Sequence, residues 1–248
     1  MIRFILIVIV VVFLYILAAP LFLIAWLIGL LSKDAQDAYT KVIVNIYFSI
    51  LRFMTGAKII YKGRENLIKD QAVLYVGNHQ GFADIVFTYP EFPSSTGFIA
   101  KKEFDKIPLF AQAMTMIHCL FMDRSDIKQS LKVILAAIDK VKAGKSIFIF
   151  PEGTRSRNKE MADFKEGSLK IATKSGCPII PVACSNTSAV FEDNYPRVKL
   201  ANVIIEFGKP IDISALDKEE LKHIGKYCHD IVEEMKKAND AEIEQMSR

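Results

Sequence analysis

From Phe4 through Leu31 the chain carries not one charged side chain, and only Pro20 and Gly29 interrupt the apolar run. A stretch of that length is long enough, as a helix, to span a hydrocarbon core. A cleaved signal sequence is the rival reading, because Ala18-Ala19 looks like a cleavage site. The run continues, however, through Trp26 to Leu31, which a signal would not need. The segment is therefore predicted to be a retained, membrane-associated helix.

The next twenty or so residues are different in kind. Asp34, Asp37, Lys41, Asn45, Ser49 and Arg52 recur at three- and four-residue steps, while Tyr39, Val42, Ile43, Ile46, Ile50 and Phe53 take the other side. That spacing predicts a strongly amphipathic helix. It suits either a helix packed on a globular core or one lying along a membrane beside the first. Arg3 before the run, and Lys33 with two aspartates after it, do not choose an orientation. We expect residues 1–56 to form a membrane-anchoring two-helix element and residues 57–248 an α/β domain.

In the remainder, short apolar runs alternate with helical periodicity. Strands are expected at Lys58–Lys62, Ala72–Val76, Gly97–Ala100, Leu120–Met122, Ser146–Phe150, Ile179–Val182 and Val203–Phe207, the last closing the sheet. Leu131, Ile134, Leu135, Ile138 and Val141 mark a helix between two of them. A charged terminal helix buries Leu221, Ile224, Cys228, Ile231 and Met235. This alternation is the pattern of an α/β layered domain, and 248 residues suffice for one good-sized core. Cys119, Cys177, Cys184 and Cys228 have no paired spacing and read as reduced core residues. A net charge of +4 suits an anionic membrane surface or acidic substrate, and no base-stacking module argues for nucleic acid.

Three polar clusters each follow an expected strand. Asn78-His79-Gln80-Gly81-Phe82-Ala83-Asp84 presents an imidazole and a carboxylate, the minimal apparatus for activating a weak nucleophile. A flat strand cannot bring that pair together, whereas a loop turning into a helix folds the Asp back beneath the ring. Alone, the pair also fits a turn residue and a helix cap. Phe150-Pro151-Glu152-Gly153-Thr154-Arg155-Ser156-Arg157 offers a permissive glycine, a hydroxyl and a guanidinium able to fork two bonds to a phosphate. A solvated turn with Glu152 paired to an arginine is the plain alternative. Asp123-Arg124 by itself is explained by an exposed ion pair, and Lys101-Lys102 by a solvated charge run. His118 reads as a core histidine, and His223 and His229 as surface residues. Gly144-Lys145-Ser146 lacks the upstream glycine of a phosphate-binding loop, and no G-x-S-x-G elbow occurs. Sites in open α/β sheets gather at strand ends, so the three clusters are expected to converge.

Taken together, these clusters resemble the glycerophospholipid acyltransferases, in particular the bacterial membrane-bound 1-acyl-glycerol-3-phosphate acyltransferases. Asn78-His79 through Asp84 matches the N-H-x-x-x-x-D signature, Phe121–Arg124 the second block and Phe150–Arg157 the F-P-E-G-T-R-S-R block. Pro178–Val182 resembles the fourth, proline-containing block, and the likeness runs from about 58 to 210. It implies a mixed sheet flanked by helices, with the amino-terminal pair as a membrane-bound element. By position it implies His79 as general base and Asp84 as its orienting partner. Lys101, Arg124 and Arg155 become acceptor-phosphate contacts, and Glu152, Gly153 and Thr154 the acceptor-binding block. Spacing alone does not separate Lys102 from Lys101.

The implied reaction moves a fatty acyl group from coenzyme A or acyl carrier protein to the sn-2 hydroxyl of lysophosphatidic acid, giving phosphatidic acid. The thioester is a co-substrate; no metal, bound cofactor or acyl-enzyme is expected. The partners would be membrane lipids, an anionic bilayer and the acyl donor, with the catalytic domain on the cytosolic face of a bacterial inner membrane. Other acceptors, such as another lysophospholipid or glycerol-3-phosphate, fit the same chemistry. A catalytically silent scaffold would need neither His79 nor Asp84, and a thioesterase would not need the arginines.

Overall fold

The computed structural model describes residues 1–156 and 160–246; Arg157 of the arginine-bearing block lies outside the described residues. The first helix, α1, runs unbroken from Ile2 to Leu31 through Pro20, and α2 follows at Lys33–Thr55 after a one-residue hinge at Ser32. Ser32 accepts Ala35 N–H at 3.2 Å and so caps α2. The two helices pack antiparallel along Leu14, Ala18, Phe22, Ala25 and Gly29, a single stripe of α1. Only 11% of the most apolar stretch of α1 is covered by the rest of the chain. A continuous apolar surface of this length is a membrane-associating one.

The faces of α2 are assigned in an unusual sense: much of its polar side points inward. Asp37 Oδ2 accepts His118 Nε2 at 3.0 Å and Lys145 Nζ at 2.5 Å. Arg52 reaches Glu91 at 3.0 Å and the Tyr61 hydroxyl at 3.1 Å, and Lys41 donates to the Pro93 carbonyl. Tyr39 and Ile43 pack on the core, but Val42, Ile46 and Phe53 remain 56%, 49% and 86% exposed. His118 is thus a tether rather than a plain core histidine. Burial holds its imidazole below the ordinary range, against the pull of Asp37.

The described strands are β1 (Lys58–Lys62), β2 (Leu74–Gly77), β3 (Thr96–Lys101), β4 (Leu120–Met122), β5 (Ser146–Ile149), β6 (Ile179–Ser185) and β7 (Asn202–Phe207). They form one mixed sheet in the order β1-β7-β6-β2-β5-β3-β4. Strands β6, β2, β5, β3 and β4 are parallel, so their carboxyl ends share one edge. β7 does not close the sheet as expected. It turns antiparallel to β6 and offers its free edge to β1.

Alternation along β2 sends Tyr75 to one face and Leu74 and Val76 to the other. The first face is covered by α1, α2 and α3 (Phe82–Thr88), with α4 (Phe110–Met116) packed alongside. The second is covered by α5 (Ile127–Lys142), α6 (Glu166–Ser175) and α8 (Ile224–Met246). Leu131 and Leu135 are not core residues: α5 turns Val133, Ile134, Ala137 and Ile138 inward and leaves those two exposed beside Ile127. The terminal segment is two helices, α7 (Lys218–Lys222) and α8, because Glu166 accepts Gly225 N–H at 2.8 Å and starts a new helix there. His229, expected at the surface, is only 14% exposed and packs edge-on against Phe164. All four cysteines are free and buried.

Candidate active site

The polar clusters meet at the shared carboxyl edge of the parallel strands. β2 runs out into Asn78, whose amide exchanges two hydrogen bonds with the Cys184 backbone, 2.9 and 2.8 Å, locking the loop to β6. His79 follows, its ring stacked on Phe150 at 4.1 Å and its side chain 13% exposed. His79 Nδ1 lies 2.7 Å from Asp84 Oδ2. The loop does fold the carboxylate under the ring, because Asp84 sits in the first turn of α3 and accepts backbone N–H groups there. The same Oδ2 takes Gln80 N–H at 2.7 Å and Gly81 N–H at 2.9 Å. Oδ1 accepts the Thr187 hydroxyl. Asp84 is fully buried, and each of its oxygens has a donor.

With Nδ1 turned to a carboxylate, the imidazole carries its proton on that nitrogen and leaves Nε2 as the basic one. No described residue is hydrogen-bonded to Nε2. Ser156 is near, but its hydroxyl is 2.6 Å from Glu152 Oε2 and 3.2 Å from the His79 carbonyl rather than at the ring. Among the described residues, the site thus presents an imidazole nitrogen with no protein nucleophile attached.

The arginine-bearing loop after β5 is built around Glu152. This side chain is buried at 4% exposure, and its carboxylate is used up inside the loop. Oε1 accepts His79 N–H at 2.7 Å, while Oε2 takes the Ser156 hydroxyl and Ala162 N–H at 2.9 Å. Glu152, which the resemblance places in the acceptor-binding block, therefore ties two clusters together through bonds to the protein itself. Gly153 has φ +75°, where an L side chain is strained, and any Cβ there would lie 2.7 Å from Lys165 Nζ. Arg124 donates to the Gly153 carbonyl, so the second cluster joins the third. Thr154 is exposed, and its hydroxyl has no partner among the described residues. The Arg155 guanidinium lies 4.4 Å over the Phe82 ring and 3.8 Å from Glu192.

Lys101 ends β3, two strands away from β2, and pairs with Glu103 at 2.7 Å at 61% exposure. Lys102 pairs with Asp123 at 3.2 Å, which separates the two lysines. Asp123 also accepts the Ser125 backbone and hydroxyl, which hold its carboxyl down at about 2. Neither lysine contacts the His79 loop. Thr187, Gln80, Lys165 and Glu192 belong to the site although no motif marked their role. Gln80 Oε1 accepts Thr187 N–H at 2.9 Å, cross-linking the His79 loop to the end of β6.

Comparisons with known proteins agree with one another. The family model described as Acyltransferase matches residues 58–185. The 1-acyl-sn-glycerol-3-phosphate acyltransferase of Haemophilus influenzae is 31% identical over 202 residues, 81% of this chain and 83% of that protein. The protein of the same name from Escherichia coli is 33% identical over 171 residues, 68% and 69% of the two chains. The crystal structure of the 1-acyl-sn-glycerophosphate (LPA) acyltransferase from Thermotoga maritima superposes with a TM-score of 0.79 at 23% identity. That alignment covers 99% of this chain and 94% of that one, and it shows the fold.

Proposed function

The chain belongs to the acyltransferase family, and we propose that it acylates the sn-2 hydroxyl of 1-acylglycerol-3-phosphate to give phosphatidic acid. The observation that carries this reading is the His79–Asp84 pair with an unbonded Nε2 beside a cluster of cations. Such a base needs a hydroxyl brought to it. Arg124, Lys165 and Arg155 around Gly153 give an anionic acceptor somewhere to be held.

In this mechanism His79 Nε2 removes the acceptor's hydroxyl proton as the oxygen attacks the thioester carbonyl. Asp84 keeps the ring's tautomer and stabilises the imidazolium that forms. The thiolate leaves readily because a thiol's pKa is only about 8–9, so no strong acid is needed. No acyl-enzyme forms. The donor is a fatty acyl thioester of coenzyme A or acyl carrier protein. Both lipids remain in an anionic bilayer at its cytosolic face, with α1 embedded and α2 lying along the interface on Val42, Ile46 and Phe53.

Purified full-length protein given oleoyl-coenzyme A and 1-acylglycerol-3-phosphate should release coenzyme A and form phosphatidic acid. Absence of turnover with that acceptor, alongside turnover of another lysophospholipid or glycerol-3-phosphate, would replace the substrate. Arg155→Ala is expected to lower kcat/KM for the acceptor by roughly 10–100-fold, mainly through KM, as loss of a charged hydrogen-bond pair does. An unchanged acceptor KM would remove Arg155 from the phosphate site. Thr187→Val keeps the side chain's shape but deletes the donor to Asp84. It should reduce kcat about tenfold, the worth of one charge-assisted hydrogen bond, with KM close to wild type. Wild-type kcat in that variant would show that Asp84 is held well enough without it.

A further inference from the structure

Glu192 lies outside every motif marked in the sequence, yet it touches both the His79–Asp84 loop and Arg155. Its Oε1 accepts Phe82 N–H at 2.7 Å and stands 3.8 Å from Arg155 Nη1. Its Oε2 is buried and has no hydrogen-bond partner among the described residues. The carboxylate occupies the space that a Cβ on Gly81 would need, so the first residues of the His79–Asp84 loop are shaped around it. Arg155 meanwhile rests on the Phe82 ring at 4.4 Å. The Arg155 guanidinium beside the base loop is therefore already in contact with an internal anion.

We propose that Glu192 is the resident counter-anion of Arg155, displaced by the acceptor's phosphate, and that this exchange selects phosphate monoesters over diesters. The proposal rests on the reading that Arg155 receives a phosphorylated lipid acceptor. A monoester carries about −1.5 to −2 charge at neutral pH and three strong acceptor oxygens. It competes better than a single carboxylate for a forked guanidinium. A diester brings one negative charge, no more than the carboxylate it must replace. The resting pair is built for exchange. At 3.8 Å, with Oε1 shared with Phe82 N–H, it is not the bidentate arrangement that would lock Arg155 in place.

The charges facing Glu192 fit this role. Burial raises its carboxyl above the ordinary range; Phe82 N–H and Arg155 act against that, and Asp84 on α3 adds to it. Asp193 on the same turn has its carboxylate engaged by the Ser188 hydroxyl at 2.9 Å. Where α1 meets this segment the contact is aromatic, Phe4 stacking on Phe191 at 5.7 Å. When Arg155 turns to the phosphate, Glu192 loses that cation and takes up a proton more readily.

The test uses full-length protein in mixed micelles with oleoyl-coenzyme A as donor. The acceptors are 1-acylglycerol-3-phosphate, a monoester, and 1-acyl-lysophosphatidylglycerol, a diester with the same free sn-2 hydroxyl. Wild-type turnover of the monoester tests the functional reading itself; the comparison with E192Q tests Glu192. E192Q keeps the bond to Phe82 N–H and removes the charge. It should lower the monoester KM and narrow the monoester-over-diester preference about fivefold, the upper worth of a partly exposed ion pair. An E192Q enzyme with a raised KM, or with the wild-type preference intact, would leave Glu192 as a loop support only and overturn the proposal. If E192Q does not accumulate, E192D draws the charge back from Arg155 and should narrow the preference in the same way.

Discussion

His79→Ala is expected to lower kcat for acyl transfer by about 10²–10⁴-fold, the usual contribution of a positioned general base, with little change in the KM of either substrate. The reason for that split is geometric. The ring's Nδ1 is held by Asp84 at 2.7 Å and its face by Phe150, which leaves Nε2 as the nitrogen that, in the proposed mechanism, meets the acceptor and takes its proton. Asp84 keeps three donors in the variant: two backbone N–H groups and the Thr187 hydroxyl. The loop therefore has reason to survive the change. Initial rates across both substrates, with circular dichroism as a check on folding, decide the matter. A variant retaining more than a tenth of wild-type kcat would mean that another group takes the proton.

Glu152→Ala should damage both stability and rate. The substitution strips acceptors from His79 N–H, the Ser156 hydroxyl and Ala162 N–H at once, in a place where water is scarce. Breaking a buried charged network of this kind costs about 3 kcal/mol or more. For a chain of this size that lowers the thermal midpoint by about 6–12 °C. The rate falls as well, because His79 N–H is one of the points that fix the base. Glu152→Gln is the sharper control: its amide sets an NH₂ group against donors on one side, so it should not restore the wild type. Differential scanning calorimetry and kcat measured on the same samples provide the check. A midpoint within the error of wild type would show that this carboxylate does not hold the two clusters together.

Much of this arrangement is encoded locally and could be read there. Strands such as Lys58–Lys62 and Leu120–Met122 fall where apolar runs sit between turn residues, and they appear with those bounds. The His79–Asp84 spacing predicted the loop-to-helix turn that brings imidazole and carboxylate together. Thr187 and Glu192 were not legible because each reaches the site from beyond β6, and Lys165 was not because the loop after β5 folds it back onto Gly153. Glu152 reads as part of a solvated turn because its burial depends on His79 N–H arriving from another strand end, while Ser156 and Ala162 close around it within the loop. Periodicity also identified the two sides of α2 and α5 without saying which side faces in. On α2 the polar side meets ionic partners on the domain and leaves Val42, Ile46 and Phe53 exposed, and on α5 the apolar arc is wider than the sheet can cover.

The inward polar side of α2 makes the membrane element inseparable from the enzyme. Cutting the chain after Gly56 would strand Lys145 and His118 without Asp37 and leave Glu91 with Arg64 but without Arg52. It would also remove Phe22, Ala25 and Val44 from the apolar cluster they now share with α3, and uncover the helices α3 and α4 on which α2 packs. Such a fragment would be stickier than the intact protein. A water-soluble form is better sought by keeping both helices and replacing outward residues such as Val42, Ile46 and Phe53 with polar ones.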